Sequence, residues 1–383
     1  MNGHAKTYFC PTRIIHGLGA VSILPDQVSL LGCSKPFVCT DAGLTAAGVT
    51  GRIVSLLESS SLPYVLFDEV EEDPGNRTVQ AGAELFAEAG CDLVIAVGGG
   101  SPMCAGKGIA LVAAGGGLLP DYEGFNKADA PPYPVIAIPT TAGSGTEVSK
   151  VTILTDEERN FKMSIIDERT YPEVALLDAS LMATLPRGPA LIAGMDALAH
   201  ALDALWSKGA TAFSDAYATV SAATIFSNLA EASVAGDLTA KQAMLEASSM
   251  ANIATGTALP GLAHVLSQPL GRLHISHGLG TGIMLPYAMR FNLPMAAARV
   301  APIARLLGEQ GSDEELGERL LQRLWDLMRE VEFPTKLDPD VVTLKELPAL
   351  VDQCTKVVNY EVNLRKASPE DLMELYAAAL GRE

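Results

Sequence analysis

The chain has 383 residues, 48% of them apolar and 19% charged, which is enough for two ordinary domains with cores of their own and excludes a disordered protein. Acidic residues outnumber basic ones 45 to 27, and a formal charge of −18 repels nucleic acid and anionic lipid, so neither nucleic-acid nor membrane partners are expected. The opening MNGHAKTYFCPTRIIHG lacks the charged start and unbroken apolar stretch of a secretory leader, no later segment stays apolar for about twenty residues, and a cytoplasmic protein is expected.

From residue 35 to about 180, short apolar runs alternate with helical stretches, the pattern of parallel strands joined by crossover helices. Strands are predicted at 37–39, 64–67, 93–97, 135–138 and 174–177, and their continuous apolar runs suit strands covered on both faces. After about Leu185 Ala, Leu and Met recur at helical spacing, through residue 324 and again from 344, so a helical second domain is expected. The two prolines and the glycine between Pro186 and Pro189 interrupt both patterns and place the boundary, giving domains 1–186 and 187–383. Six cysteines are scattered without CxxC spacing, so neither a zinc knuckle nor a disulfide framework is expected.

Asp41 ends the first predicted strand, where a carboxylate can accept hydrogen bonds from ribose hydroxyls and repel a 2′-phosphate, favouring NAD over NADP. Gly98-Gly99-Gly100-Ser101-Pro102 follows the most apolar strand and opens a helix, so its backbone N–H groups and the helix dipole make an anion cradle. The G-x-G-x-x-G spacing is not matched, because Met103 stands where its last glycine belongs. Gly106-Lys107 resembles a phosphate loop, but Gly108 replaces the hydroxyl residue that holds Mg²⁺, which argues against a nucleotide triphosphatase or nucleotide-binding regulator. Thr140 and Thr141 begin a second polar loop after the next strand, PTTAGSGTE, and two such loops at neighbouring strand ends suggest one shared ligand.

In GMDALAHAL, Asp196 and His200 are four residues apart among good helix formers, which puts both side chains on one helix face, where they can grip one ion. Three of the six histidines, His264, His274 and His277, fall within the stretch Gly261 to Gly278, and imidazoles in an apolar helical domain need partners. His264 and His277 are thirteen apart and do not share a face of one straight helix, so a break is expected near Pro269 to Gly271. A carboxylate with two or three imidazoles suits Fe²⁺, Zn²⁺ or a similar ion and leaves a position open for substrate.

The segments TDAGL, GGGSP, PTTAGSGTEVS, GMDALAHALDALWS, HGLGTGIMLPYAMRFN and NLRKASPEDLMELYAAA, in this order along essentially the whole chain, resemble the iron-containing (group III) alcohol dehydrogenase family. The resemblance implies a dehydroquinate synthase-like fold, an α/β N-terminal nucleotide-binding domain with a parallel sheet plus an all-α C-terminal domain. It implies metal ligation by Asp196, His200, His264 and His277, and NAD contacts at Asp41, Gly98, Gly99, Gly100, Ser101, Pro102, Thr140, Thr141 and Lys162. It further implies NAD(H), a divalent metal (Fe²⁺ first, Zn²⁺ or Mn²⁺ as alternatives), a small alcohol or aldehyde substrate and a homodimer or larger homo-oligomer. Glycerol dehydrogenase-like polyol oxidation is the alternative within the same fold. Two positions depart from the family pattern: Cys104 stands where an acidic residue is usual, and Gln268 stands where a histidine would relay the proton. Gln268 cannot titrate, so the proton is expected to leave through solvent, the cofactor's ribose hydroxyls or His274.

Overall fold

A computed structural model describes residues 6–159 and 161–382, so the first five residues of the segment read for a leader lie outside the described residues. Contacts divide the chain into two compact units: Cys10–Leu185, and Pro186 onward together with the N-terminal residues 6–9. These first residues are tied to the second unit by the Lys6 ammonium, which donates to the Ala210 carbonyl at 2.8 Å, and by Tyr8, stacked 5.2 Å from Phe213.

The first unit contains strands β1 (Arg13–His16), β2 (Pro36–Cys39), β3 (Val65–Phe67), β4 (Leu93–Gly98), β5 (Gly124–Phe125), β6 (Val135–Pro139), β7 (Val151–Asp156), β8 (Phe161–Ile166) and β9 (Val174–Leu177). Its helices are α1 (Leu24–Leu30), α2 (Ala42–Ala46), α3 (Val49–Ser59), α4 (Asn76–Ala89) and α5 (Gly100–Gly115). Six strands form a wholly parallel sheet in the order β1-β9-β6-β4-β2-β3, and β5-β8-β7 form a small second sheet. Alternate residues of the central strands feed two cores: Val94, Ala96, Val135 and Ala137 face α5, while Leu93, Ile95, Val97, Ile136 and Ile138 face the other way. Burial on both faces is why these strands read as unbroken apolar runs. All five strands expected from the sequence are present; β1, β5 and the β7–β8 hairpin are additions.

The second unit is helical: α6 (Arg187–Leu205), α7 (Ala212–Ala230), α8 (Leu238–Ala258), α9 (Leu262–Ser267), α10 (His277–Leu306), α11 (Asp313–Glu330), α12 (Leu347–Cys354) and α13 (Pro369–Ala379). Helix α6 is buried on nearly every side from Gly194 to Leu205, which explains its Ala- and Leu-rich composition. Between α9 and α10 the chain tightens into a 3₁₀ segment, Gln268–Leu273, where Pro269 cannot continue an α-helix. Among the described residues no helix is long and apolar enough to cross a membrane.

Candidate metal centre and nucleotide loops

Helix α6 carries Asp196 and His200 on the face that meets α9 and the start of α10. Gly278, the second residue of α10, lies so close to α6 that a Cβ there would stand 2.8 Å from Ile192 Cγ2 and 3.0 Å from its carbonyl oxygen. Glycine at that position lets the neighbouring His277 reach Asp196. The Asp196 carboxylate is the hub: its Oδ1 lies 3.8 Å from His264 Nε2 and 3.7 Å from His277 Nε2, and its Oδ2 3.7 Å from His200 Nδ1. One ligand atom from each of Asp196, His200 and His264 falls within 4.8 Å of the others, and all three residues are buried. His277 is more open, with 45% of its side chain exposed.

In each imidazole the Nδ1 atom has a protein acceptor near it. His200 Nδ1 lies 3.0 Å from the Asp196 carbonyl, His264 Nδ1 2.8 Å from Asp203 Oδ2, and His277 Nδ1 3.5 Å from Ser267 Oγ, which also accepts from Thr281 Oγ1 at 2.7 Å. Such bonds set the tautomer, and in His264 and His277 they leave Nε2 facing Asp196 Oδ1. Asp196 Oδ1 and His264 Nε2 are buried without a hydrogen-bond partner. Unsatisfied buried acceptors are costly, and a divalent cation satisfies both, so the residues present fit a metal.

Burial pushes Asp196 up, but the three imidazoles outweigh it and the carboxyl lies below its ordinary value. Burial lowers His200 to about 4, with Asp196 opposing. For His264 burial also acts downward, yet the hydrogen bond and charge of Asp203, with Asp196 behind it, leave it raised.

Gln268 opens the 3₁₀ segment and His274 closes it, both exposed, His274 in the left-handed region at φ 59° with its N–H donating to the Gly271 carbonyl. Among the described residues neither makes a side-chain hydrogen bond to the Asp196 group. Sequence reasoning missed Asp203 and Ser267; Asp203 could have been found, because it lies seven residues beyond Asp196 on the same helix face.

In the first unit, β4 runs into Gly98 and Gly99, and α5 begins at Gly100 with no side-chain cap, leaving first-turn N–H groups for an anion. The loop after β6 packs beside it: Thr140 N–H donates to the Gly98 carbonyl at 3.0 Å, and a Cβ on Gly99 would lie 3.2 Å from Thr141 Oγ1. Ser101 Oγ accepts from Asp73 N–H at 3.2 Å, and Asp73 Oδ1 pairs with Lys162 Nζ at 2.8 Å, so Lys162 of β8 is linked to the same loop. Pro102 is buried behind it. Asp41 caps α2, its Oδ1 accepting from Leu44 N–H at 2.9 Å. Lys107 is buried and its ammonium donates to the carbonyls of Ser149 and Val151, so it anchors β7 and is not the phosphate lysine of a triphosphatase. Burial lowers it to about 8. Cys104 Sγ accepts from Ile153 N–H at 3.5 Å, so the thiol too is tied to β7.

One chain that carries both a parallel α/β unit with a glycine cradle at its strand ends and a helical unit whose buried carboxylate and imidazoles converge has the parts of a nucleotide-linked, metal-dependent oxidoreductase. Residues 11–179 match the sequence model of "Iron-containing alcohol dehydrogenase" and residues 190–380 that of "Fe-containing alcohol dehydrogenase family, C-terminal". The chain is 33% identical over 378 residues to the NAD-dependent methanol dehydrogenase of Bacillus methanolicus, covering 97% of this chain and 99% of that one. It is 32% identical over 369 residues to the lactaldehyde reductase of Escherichia coli K12, covering 95% and 96%. The crystal structure of a 1,3-propanediol oxidoreductase superposes with a TM-score of 0.94 at 31% identity, covering 98% and 100%. The chain belongs to the iron-containing alcohol dehydrogenase family. Members use NAD(H) and a metal, and the protein is an NAD-dependent oxidoreductase of the alcohol dehydrogenase and aldehyde reductase type.

Proposed function

We propose that this chain interconverts a small primary alcohol or diol and its aldehyde, with residues 1–186 holding NAD(H) and residues 187–383 holding the metal. The observation that carries the reading is the pair of buried, unpartnered acceptors, Asp196 Oδ1 and His264 Nε2, facing one another between two further imidazoles. Asp196, His200, His264 and His277 are the ligands, with Fe²⁺ the first choice and Zn²⁺ or Mn²⁺ accepted by the same donors. When bound, the ion supplies Lewis acidity toward the substrate oxygen and the nicotinamide accepts or returns the hydride.

The remaining work falls to the chain. Gly98, Gly99, Gly100, Ser101 and Pro102 form the pyrophosphate cradle at the start of α5, Thr140 and Thr141 wall it, and Lys162 braces it through Asp73. Asp41 presents a carboxylate to the ribose and selects against a 2′-phosphate. His274, exposed beside α10, exchanges the reaction proton with solvent, because the Gln268 amide does not titrate. The methanol, lactaldehyde and propanediol names among the relatives support a short substrate. The family resemblance supports a homodimer or larger homo-oligomer in the cytoplasm, which light scattering and cell fractionation test.

The deciding experiment is metal analysis of the purified protein combined with NADH oxidation over formaldehyde, lactaldehyde, 3-hydroxypropanal and dihydroxyacetone, before and after chelation. Activity on a short aldehyde that vanishes on chelation and returns with Fe²⁺ or Zn²⁺ is expected. Full activity after complete metal removal would sink the reading, and a preference for dihydroxyacetone would move it to polyol oxidation.

A further inference from the structure

Asp203 is fully buried, and a carboxylate taken wholly out of water is costly unless its lone pairs are filled. Four donors fill them. Oδ1 accepts from Trp206 Nε1 at 2.6 Å and from Ala263 N–H at 3.2 Å; Oδ2 accepts from His264 N–H at 3.1 Å and faces His264 Nδ1 at 2.8 Å. Helix α9 has no capping side chain of its own, its N-cap being Gly261, so the carboxylate that caps it comes from α6. The fit is close: a Cβ on Gly261 would lie 3.1 Å from Asp203 Oδ1 and from the Trp206 ring.

A cap alone needs only the two backbone N–H groups. The shorter of the two contacts to Oδ2 runs to the imidazole ring, and it is compatible with one neutral tautomer only. With the proton on Nε2, the Nδ1 lone pair would face a carboxylate lone pair in a dry site; with the proton on Nδ1, the bond forms and Nε2 is left as an acceptor. That Nε2 is the atom found buried and unpartnered opposite Asp196 Oδ1. Asp196, His200 and Asp203 all stand on α6, so one rigid helix carries two donors and the group that aims the third.

We propose that Asp203 is the positioning residue of the metal centre: it docks the start of α9 on α6 and holds the His264 ring with Nδ1–H bound, so that Nε2 is the ligand atom. The proposal rests on the metal reading above and adds a residue that does not itself touch the ion.

The test uses metal-free enzyme titrated with Zn²⁺ against a chromophoric chelator, comparing wild type, Asp203→Asn and His264→Ala, with urea unfolding and NADH binding recorded for each. An Asn at 203 offers one oxygen to four donors, and Zn²⁺ affinity is expected to fall roughly 10–100-fold in a variant that still unfolds cooperatively and binds NADH as wild type does. Asp203→Asn within twofold of wild type, with His264→Ala strongly impaired, overturns the proposal and leaves the metal reading standing. His264→Ala binding Zn²⁺ as wild type does overturns both. Should Asp203→Asn fail to fold, histidine ring ¹⁵N spectra of the Zn²⁺-loaded wild type decide: a proton on Nδ1 of His264 supports the proposal, and metal on Nδ1 overturns it.

Discussion

His264 Nε2 lies 3.8 Å from Asp196 Oδ1, and both atoms are buried with no hydrogen-bond partner. Two acceptors facing each other at that distance in a dry interior are tolerable only when something positive sits with them, a proton in the metal-free protein or a cation in the loaded one. Removing either should therefore abolish tight metal binding. His264→Ala and Asp196→Asn are each expected to lower metal affinity by more than about 100-fold, beyond the range of a supporting residue. Elemental analysis after gel filtration and the loss of metal-induced thermal stabilisation check this; for wild type, metal at about 100 times its Kd adds about 2.7 kcal/mol.

The two buried imidazoles give metal-free enzyme a stability maximum in pH. His200 is lowered in the folded state from 6.5 to about 4, so its contribution is present above pH 6.5 and is lost as pH falls toward 4, by up to about 3 kcal/mol. His264 is raised, so its contribution is complete below 6.5 and is lost as pH rises through its folded value. Urea unfolding of chelated enzyme across pH should show both limbs, with His200→Asn flattening the acid limb and His264→Asn the alkaline one. A profile unchanged by either substitution contradicts the assignment.

Gly278→Ala puts a methyl group 2.8 Å from Ile192 Cγ2 and 3.3 Å from Asp196 Cβ. The start of α10 must move off α6, at a cost of about 1–3 kcal/mol. Because His277 precedes it directly, metal affinity should fall while NADH binding holds. Equal affinity in wild type and variant would show that His277 does not depend on this approach.

Lys107→Met leaves the Ser149 and Val151 carbonyls without their donor in a buried place and is expected to destabilise the protein by about 2–4 kcal/mol. In the variants that remain folded at low temperature, NADH should still bind and ATP should not, since the lysine anchors β7. Fluorescence titration of both nucleotides reads this.

His274→Ala should lower turnover and alter the pH profile of kcat if the exposed imidazole exchanges the reaction proton. Stopped-flow and steady-state rates from pH 5 to 10 measure it. An unchanged rate with an unchanged profile removes His274 from the mechanism.

The local parts of this protein were legible in its sequence. Strands β2, β4, β6 and β9 are buried on both faces, so they announce themselves as apolar runs, and the glycines after β4 mark a helix start that needs no side-chain cap. The four-residue spacing of Asp196 and His200 depends only on the helical period, which any Ala- and Leu-rich segment imposes. The hairpin of β7 and β8 was missed, because its residues are only half covered and its pairing is with each other, across an intervening turn. What only the tertiary structure decided is the meeting of three segments at Asp196. The metal reading of His264 leaned on a family resemblance, yet the folded chain holds its ring by the carboxylate of Asp203 on another helix, and His277 arrives through the close contact at Gly278. Spacing along a chain determines which side chains share one helix face. It says nothing about which helices touch, because that depends on the packing of side chains far apart in sequence.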